Sequence, residues 1–378
     1  MHVLMLSDYY PPHISGGVEK VAFELCRGLS KKGHSLSVLT YNYHSAPAIE
    51  ETDEATIHRL PSIPLTNVLK RQYTISLYTL PRLIQLIRRL KPAIIHANNR
   101  YFSTTMALSF LGPFLTTPII TTLHIGNLQD DNKLNAIFGT YDRTIGRHII
   151  RGSNHVIAVS DGVAEYTRAV CGDSFNLSVI PNGVDTNVFC PDKNSPDKAP
   201  IVLFVGRLLR NKGPETLVRA IPLVLAKNPQ AQFWIVGDGP LKDDLQRLIG
   251  KLDVVGAVKF LGVRKNVADI MRKATVFSRP SSLEGMSLTI LEAMASGLPV
   301  IATPVTGTVE LIKDGYNGYL VAISDFEMLA KKINSVLENQ PLAAQMGQRS
   351  RDIVKGKYGW DAVVDRTEQV YIEEAGVY

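Results

Sequence analysis

Residues 279–303 read RPSSLEGMSLTILEAMASGLPVIAT, and two carboxylates, Glu284 and Glu292, stand eight positions apart within them. The cluster Pro280-Ser281-Ser282 is turn-forming, and Gly285-Met286-Ser287 leads into an apolar run with helical period. The run stops at Gly297, which suits the left-handed position after a helix, and Pro299 cannot continue it. Val300-Ile301-Ala302 then reads as a strand. Glu284 is therefore expected in a loop at a helix mouth, with Glu292 about two turns inside the helix. At about 1.5 Å of rise per residue the acids are too far apart for a tight carboxylate dyad. They read as separate handles on one elongated, hydroxyl-bearing ligand. The amides of Gly285, Met286, Ser287 and Leu288 lie between them and favour an anion. Carboxylate, anion site, carboxylate is an order that suits a sugar, a phosphate and a ribose.

At 378 residues the chain is too long for one ordinary core, and two α/β domains are expected. With 45% apolar and 20% charged residues it has the composition of a soluble globular protein. A net charge of +6 is mild for this length and by itself selects neither nucleic acid nor membrane. Cys26, Cys171 and Cys190 lack metal-type spacing and read as free thiols in a reducing compartment, so a cytoplasmic location is expected. The start MHVLMLSDYYPP lacks a basic region and a long apolar core, and no signal peptide is expected. Tyr101 to Leu123 is uncharged and long enough to span a bilayer, but Ser103, several threonines, Pro113 and Pro118 interrupt it. A short helix followed by a strand over 118–123 is the expected reading.

Residues 2–7 are expected to form a buried strand, followed by a loop to Gly17, a helix with Val18, Val21, Ala22, Leu25 and Leu29 on one face, and a strand over 34–40: one βαβ unit. The Gly-x-Gly-x-x-Gly fingerprint is absent. Gly16-Gly17 reads either as a flexible turn or as a loop whose amides can approach a phosphate or sugar. No Asp or Glu occurs from Ala55 to Gln129, while Arg59, Lys70, Arg71, Arg82, Arg88, Arg89, Lys91 and Arg100 do. A basic amphipathic helix is expected there, restarted at Pro81. It is either a packing helix with a solvated basic face or a docking surface for an anionic membrane. Strands at 93–96 and 119–123 follow. The second delivers His124 just beyond the carboxyl end of a parallel strand, where open α/β sheets bind ligands and where imidazole suits hydrogen bonding or proton handling.

Further strands are expected at 155–160, with Ser160 or Asp161 capping the next helix, and at 177–180. Residues 191–200, PDKNSPDKAP, form the clearest linker. The pattern then restarts: strand 201–205, the loop Gly206 to Gly213, and a helix from Pro214. Strand 232–236 leads into Gly237-Asp238-Gly239-Pro240. Lys242 occupies the place of a third glycine there, so a dinucleotide reading fails. Strands at 258–261, 275–278 and 318–321 and helices at 326–339 and 360–375 complete the chain. Arg207 and Lys212 share the loop after the first strand of this second half. Two cations and an amide-rich helix start on one crevice suit a diphosphate, each charged hydrogen bond contributing roughly 1.5–3 kcal/mol. Taken alone, the pair reads more commonly as two solvated surface cations; it gains its force from residues 279–303.

The sequence resembles the retaining GT-B glycosyltransferases of family 4, which use nucleotide-diphosphate sugars. PSSLEGMSLTILEAMASGLPV is similar to the family's E-x7-E signature and VGRLLRNKG to its phosphate-binding G-R-x4-K-G. SGGVE, VIPNGVD, VGDGP and Leu261-Gly262 also match in type and order. The resemblance covers essentially the whole chain. It implies two Rossmann-like doubly wound α/β domains facing each other across a cleft: an acceptor-binding domain over 1–190, a hinge linker over 191–200 and a nucleotide-sugar-binding domain over 201–357. A C-terminal helix over 358–378 would cross back to the first domain. It further implies that Arg207 and Lys212 hold the donor diphosphate, that Glu292 accepts the ribose hydroxyls, and that Glu284 contacts the donor sugar. The amides of Gly285, Met286, Ser287 and Leu288 would bind phosphate and sugar oxygens. Gly16 and Gly17 would approach from the first domain, His124 would stand near donor sugar and acceptor, and the base would lie against Val263-Arg264. Glu284, His124, Arg207 and Lys212 form the implied catalytic set, with Glu284 positioning rather than attacking.

This sequence departs from the family where Met286 replaces the usual aromatic residue, Ser287 the usual glycine, and Gly307-Thr308 a frequent glycine pair. None of these removes a charged group. The implied mechanism is attack on the face from which the diphosphate departs, with a phosphate oxygen taking the acceptor's proton. No cofactor beyond the nucleotide-diphosphate sugar is implied, and with no Asp-x-Asp in the chain no metal is expected. Expected partners are a glycan or lipid-linked acceptor and, through the basic 59–100 segment, an anionic membrane surface on the cytoplasmic side; nucleic acid is not expected. Two alternatives stay open: a nucleotide-sugar epimerase of the same fold, and a two-domain sugar-binding protein without catalysis.

Overall fold

Short runs rich in Val, Ile and Leu, buried on both faces, become the strands of two mostly parallel sheets. The computed structural model describes residues 1–13, 16–43, 46–65, 73–126, 138–192 and 200–376. The chain divides into two compact units, residues 1–182 with 360–378, and residues 183–359. The boundary thus falls before residue 190. Residues 183–190 join the second unit because their backbone is bonded there: Val184 donates to the Tyr358 carbonyl at 2.8 Å, and Arg351 reaches the carbonyls of Thr186 and Phe189 at 3.3 and 3.1 Å. Most of the linker expected at 191–200, residues 193–199, lies outside the described residues, and so does the hinge reading placed on it.

In the first unit the strands are β1 (His2–Leu6), β2 (Ser35–Asn42), β3 (Ile49–Glu51), β4 (Thr56–Pro61), β5 (Ile63–Pro64), β6 (Thr74–Ile75), β7 (Ile94–Asn98), β8 (Ile119–Leu123), β9 (His155–Ala158) and β10 (Asn176–Val179). The large sheet runs β10-β9-β8-β7-β1-β2-β4-β3, with only β3 antiparallel, and β5 pairs with β6 as a separate ribbon. Chain order reverses at β1, which pairs with β2 on one side and β7 on the other. The closing helix Trp360–Ala375 belongs to this unit. It lies so close to the helix Gly17–Lys31 that a Cβ on Gly28 would collide with Val364. Three histidines meet it along one stripe: His34 bonds Glu368 at 2.7 Å, His96 bonds Tyr371, and His155 bonds Glu374 at 3.1 Å.

Tyr101–Leu123 folds as a helix (Ser103–Leu111), a 3-10 turn and β8, and no described helix is long and apolar enough to cross a membrane. The basic segment is less uniform than its composition suggests. Arg59 is buried and paired with Glu50 at 2.6 Å, and Arg100 is buried and paired with Asp142 at 2.7 Å. Lys70 and Arg71 fall outside the described residues. Arg88, Arg89 and Lys91 are exposed at the carboxyl end of the helix Thr79–Leu90.

The second unit carries β11 (Ile201–Val205), β12 (Gln232–Val236), β13 (Val258–Gly262), β14 (Val276–Arg279), β15 (Val300–Ala302) and β16 (Gly318–Leu320) in the order β13-β12-β11-β14-β15-β16, all parallel. Its core joins Phe204, Phe233, Ile235 and Ile301 to Leu217, Ile221, Leu329 and Ile333 of the flanking helices. Between the two expected final helices lies an unforeseen one, Gln340–Lys357. Its sequence is polar, with glycines at 347 and 356, so its apolar period is weak. Asn339 caps it, accepting from the Leu342 amide at 3.0 Å. Gly347 is required by proximity, because a Cβ there would strike the Gly297 carbonyl.

Candidate functional site

The order of the second sheet has a switch point between β11 and β14, from which chain order runs outward in both directions. The loops leaving these two strands face one crevice at the carboxyl edge, the place where open sheets bind ligands. One loop is 206–213, with Arg207 and Lys212. The other is 280–287, with Glu284. They are stitched together: Ser282 donates to the Asn211 carbonyl at 3.0 Å, and Gly213, at φ +70°, lies so close to the Pro280 carbonyl that a Cβ would collide with it. The 237–241 loop closes the other side, with Leu208 donating to Asp238 at 2.9 Å and Leu241 to Leu208 at 3.2 Å.

Glu284 is the centre of the cluster and only 7% exposed. Its Oε1 accepts from Arg279 Nε at 3.1 Å, Arg279 Nη2 at 2.9 Å and Ser281 Oγ at 2.9 Å. Its Oε2 accepts from Lys212 Nζ at 2.8 Å. Burial alone would raise the carboxyl pKa. The Lys212 and Arg279 charges and the hydrogen bonds outweigh it and hold the group at about 2. Burial pulls Lys212 down from its usual value, Glu284 opposes that pull, and the neighbouring Arg279 adds to it.

Arg279 and Ser281 were given no role by sequence. The signal for Arg279 was a cation closing an otherwise apolar strand immediately before a proline. In the structure Arg279 is 5% exposed; its Nη1 donates to the Val205 carbonyl at 2.9 Å and its guanidinium lies 5.5 Å from the Phe204 ring centroid. β11 and β14 share register only at Val202–Val276 and Leu203–Phe277. Arg279 occupies the place where they part.

The helix after Glu284 runs Leu288–Ala295, so Glu292 is its fifth residue, little more than one turn in, rather than about two. Glu292 is buried beside the apolar residues of that helix. Ser287, standing where the family favours glycine, caps the helix by accepting from the Ile290 amide at 3.4 Å. Met286 is 6% exposed, and Gly285 is overlain by Gly307, whose φ is +73° and whose Cβ would meet the Gly285 carbonyl. Arg207 is exposed in its loop, and Val263 is 78% exposed beyond β13.

Gly16, Gly17 and His124 belong to the first unit. Gly16 has φ −157°, an extended conformation open to any residue, and Gly17 opens the helix. His124 follows β8 and is buried, which lowers its pKa to about 3 and leaves the ring neutral at pH 7. Asn98 Nδ2 donates to the Leu6 carbonyl at 3.2 Å, so its Oδ1 is the acceptor facing His124 Nε2 at 3.3 Å. That assignment places the ring proton on Nε2 and an acceptor lone pair on Nδ1.

Residues 15–188 match the family described as Glycosyltransferase Family 4, and residues 187–353 match glycosyl transferases group 1. The chain is 30% identical over 379 residues to the phosphatidylinositol N-acetylglucosaminyltransferase gpi3 subunit of Schizosaccharomyces pombe, covering 97% of this chain and 79% of that one. Among solved structures, sucrose-phosphate synthase from Thermosynechococcus elongatus superposes with a TM-score of 0.86 at 24% identity over 100% of both chains. Anabaena HepE in complex with UDP-glucose gives 0.81 at 20% identity, over 99% of this chain and 100% of that one. These likenesses fix the fold as GT-B, with two Rossmann-like units, and the chain belongs to glycosyltransferase family 4.

Proposed function

We propose that this glycosyltransferase moves a sugar from a nucleotide-diphosphate sugar to a glycan or lipid-linked acceptor, with retention of anomeric configuration and without a metal. One observation carries the reading. The switch point of the second sheet holds an ionised Glu284 between Lys212 and Arg279 at the mouth of the helix capped by Ser287. In this reading Arg207, Lys212 and the amides of residues 285–288 receive the diphosphate and stabilise the charge that grows on it as the sugar departs. Preorganised donors of this kind contribute most where charge develops. Glu292 takes the ribose hydroxyls, and the base lies along Val263. Glu284 positions the donor sugar. With Oε1 saturated by three donors and a pKa of about 2, it is a poor nucleophile. A phosphate oxygen therefore takes the acceptor proton as the new bond forms on the same face. In the first unit His124 offers Nδ1 to a sugar hydroxyl.

The HepE structure contains UDP-glucose, and the S. pombe relative is by name a phosphatidylinositol N-acetylglucosaminyltransferase subunit. The first favours a uridine donor and the second a lipid-linked acceptor here. Attachment to the anionic cytoplasmic face of a membrane would use Arg88, Arg89 and Lys91, at roughly 1 kcal/mol each.

The deciding experiment incubates the protein with nucleotide sugars, with and without acceptor lipids. Nucleoside diphosphate release that depends on acceptor, with an unchanged anomer by NMR, supports the proposal. An inverted anomer refutes retention, and an epimerised donor without acceptor favours the epimerase reading.

A further inference from the structure

The two oxygens of Glu284 have different surroundings. Oε1 faces three donors, two from Arg279 and one from Ser281, which exhaust its lone pairs and fix the carboxylate plane. Among the described residues, Oε2 accepts from Lys212 Nζ, at 2.8 Å. Arg279 cannot itself reach a ligand. Its Nη1 is tied to the Val205 carbonyl, Phe204 lies beneath its guanidinium, and Gly206 exists as glycine because a Cβ there would collide with Nη1. Arg279 is thus locked by the sheet, and it locks Glu284 in turn.

We propose that Arg279 is a positioning residue for the donor sugar: by occupying Oε1 it turns Oε2 toward the crevice as the one carboxylate oxygen available to a sugar hydroxyl. This rests on the nucleotide-sugar reading above. Without Arg279 the carboxylate is free to rotate, and either oxygen can be captured by Lys212. The sugar then loses an oriented acceptor, while the diphosphate keeps Arg207 and the helix start. Loss of the buried cation also lets the Glu284 carboxyl rise toward its ordinary range.

The test uses the full chain, with Arg279→Gln, Arg279→Lys and Ser281→Ala. Calorimetry compares UDP, GDP and ADP with their glucose conjugates. For the nucleotide that binds the wild type, Arg279→Gln is expected to weaken the sugar conjugate about tenfold or more, the loss of one charged hydrogen bond, and the bare diphosphate less than about threefold. The acid limb of conjugate binding should move up by about one pH unit or more, with partial recovery of both effects in Arg279→Lys. Equal weakening of diphosphate and conjugate, or no change in either, overturns the proposal. If Arg279→Gln fails to fold, Ser281→Ala removes one of the three donors and should show a smaller loss confined to the conjugate; an unchanged conjugate affinity overturns the proposal by that route. A wild type that binds none of the nucleotides overturns the donor reading itself, which separates the two failures.

Discussion

Glu284→Gln keeps the shape of the side chain and removes its charge. Two cations, the buried Arg279 and the half-buried Lys212, then face an amide, and the new NH2 group competes with them as a donor. Breaking a buried ion pair from one side costs about 3–5 kcal/mol. A second route gives a similar figure. The carboxyl sits at about 2 against an ordinary 4.5, and at about 1.4 kcal/mol per pH unit the difference is about 3 kcal/mol. A unit of this size loses about 2–4 °C of Tm per kcal/mol, so a drop of about 6–12 °C is expected at pH 7 for the transition of the second unit. The sign with pH is fixed by the depressed pKa. The wild-type contribution is complete above the unfolded value near 4.5 and is lost as pH falls toward 2, so the gap between wild type and variant should close on acidification. Differential scanning calorimetry of both proteins from pH 7 down to pH 3 measures it. An unchanged Tm at pH 7, or a gap that stays constant down to pH 3, refutes the claim that the Glu284 charge anchors the cluster.

Other substitutions separate packing from chemistry. Gly213→Ala forces a non-glycine residue to φ +70° and drives a Cβ into the Pro280 carbonyl, so thermal unfolding should show a loss of more than about 1–2 kcal/mol. Glu292→Ala should abolish transfer in a product assay while Tm falls by only a few degrees, because no ion pair of the Lys212–Glu284–Arg279 cluster is touched. Asp142→Ala strips the buried Arg100 of its carboxylate and the Tyr101 and Tyr166 hydroxyls of their acceptor, and denaturant unfolding should report about 3–5 kcal/mol. Neutralising Arg88, Arg89 and Lys91 together should reduce sedimentation with anionic vesicles at low salt; equal sedimentation of wild type and variant sinks the membrane proposal.

Much of this was legible along the chain because it is local. Apolar runs of three to six residues between glycine- and proline-bearing loops read as parallel strands, and β1, β8, β11 and β15 formed within a residue or two of expectation. Gly297 and Pro299 ended the helix after Glu284 as read. The helix Gln340–Lys357 escaped because its stability comes from tertiary packing of a weakly apolar face. The unit boundary escaped because carbonyl contacts from Arg351 and Tyr358 leave no mark on composition.

Sequence by itself determined the family, the alternation of strands and helices, and the charged residues of the loops after two strands, Arg207, Lys212 and Glu284, with Glu292 in the helix that follows. Spacing and residue type suffice for that, since both are properties of short segments. Tertiary structure alone decided how the charges are used. Lys212 and Glu284 lie 72 positions apart and form an ion pair only because β11 and β14 are neighbours at the switch point. Arg279, which the sequence left without a role, became the group that holds Glu284, because the parting of those two strands leaves the Val205 carbonyl within its reach.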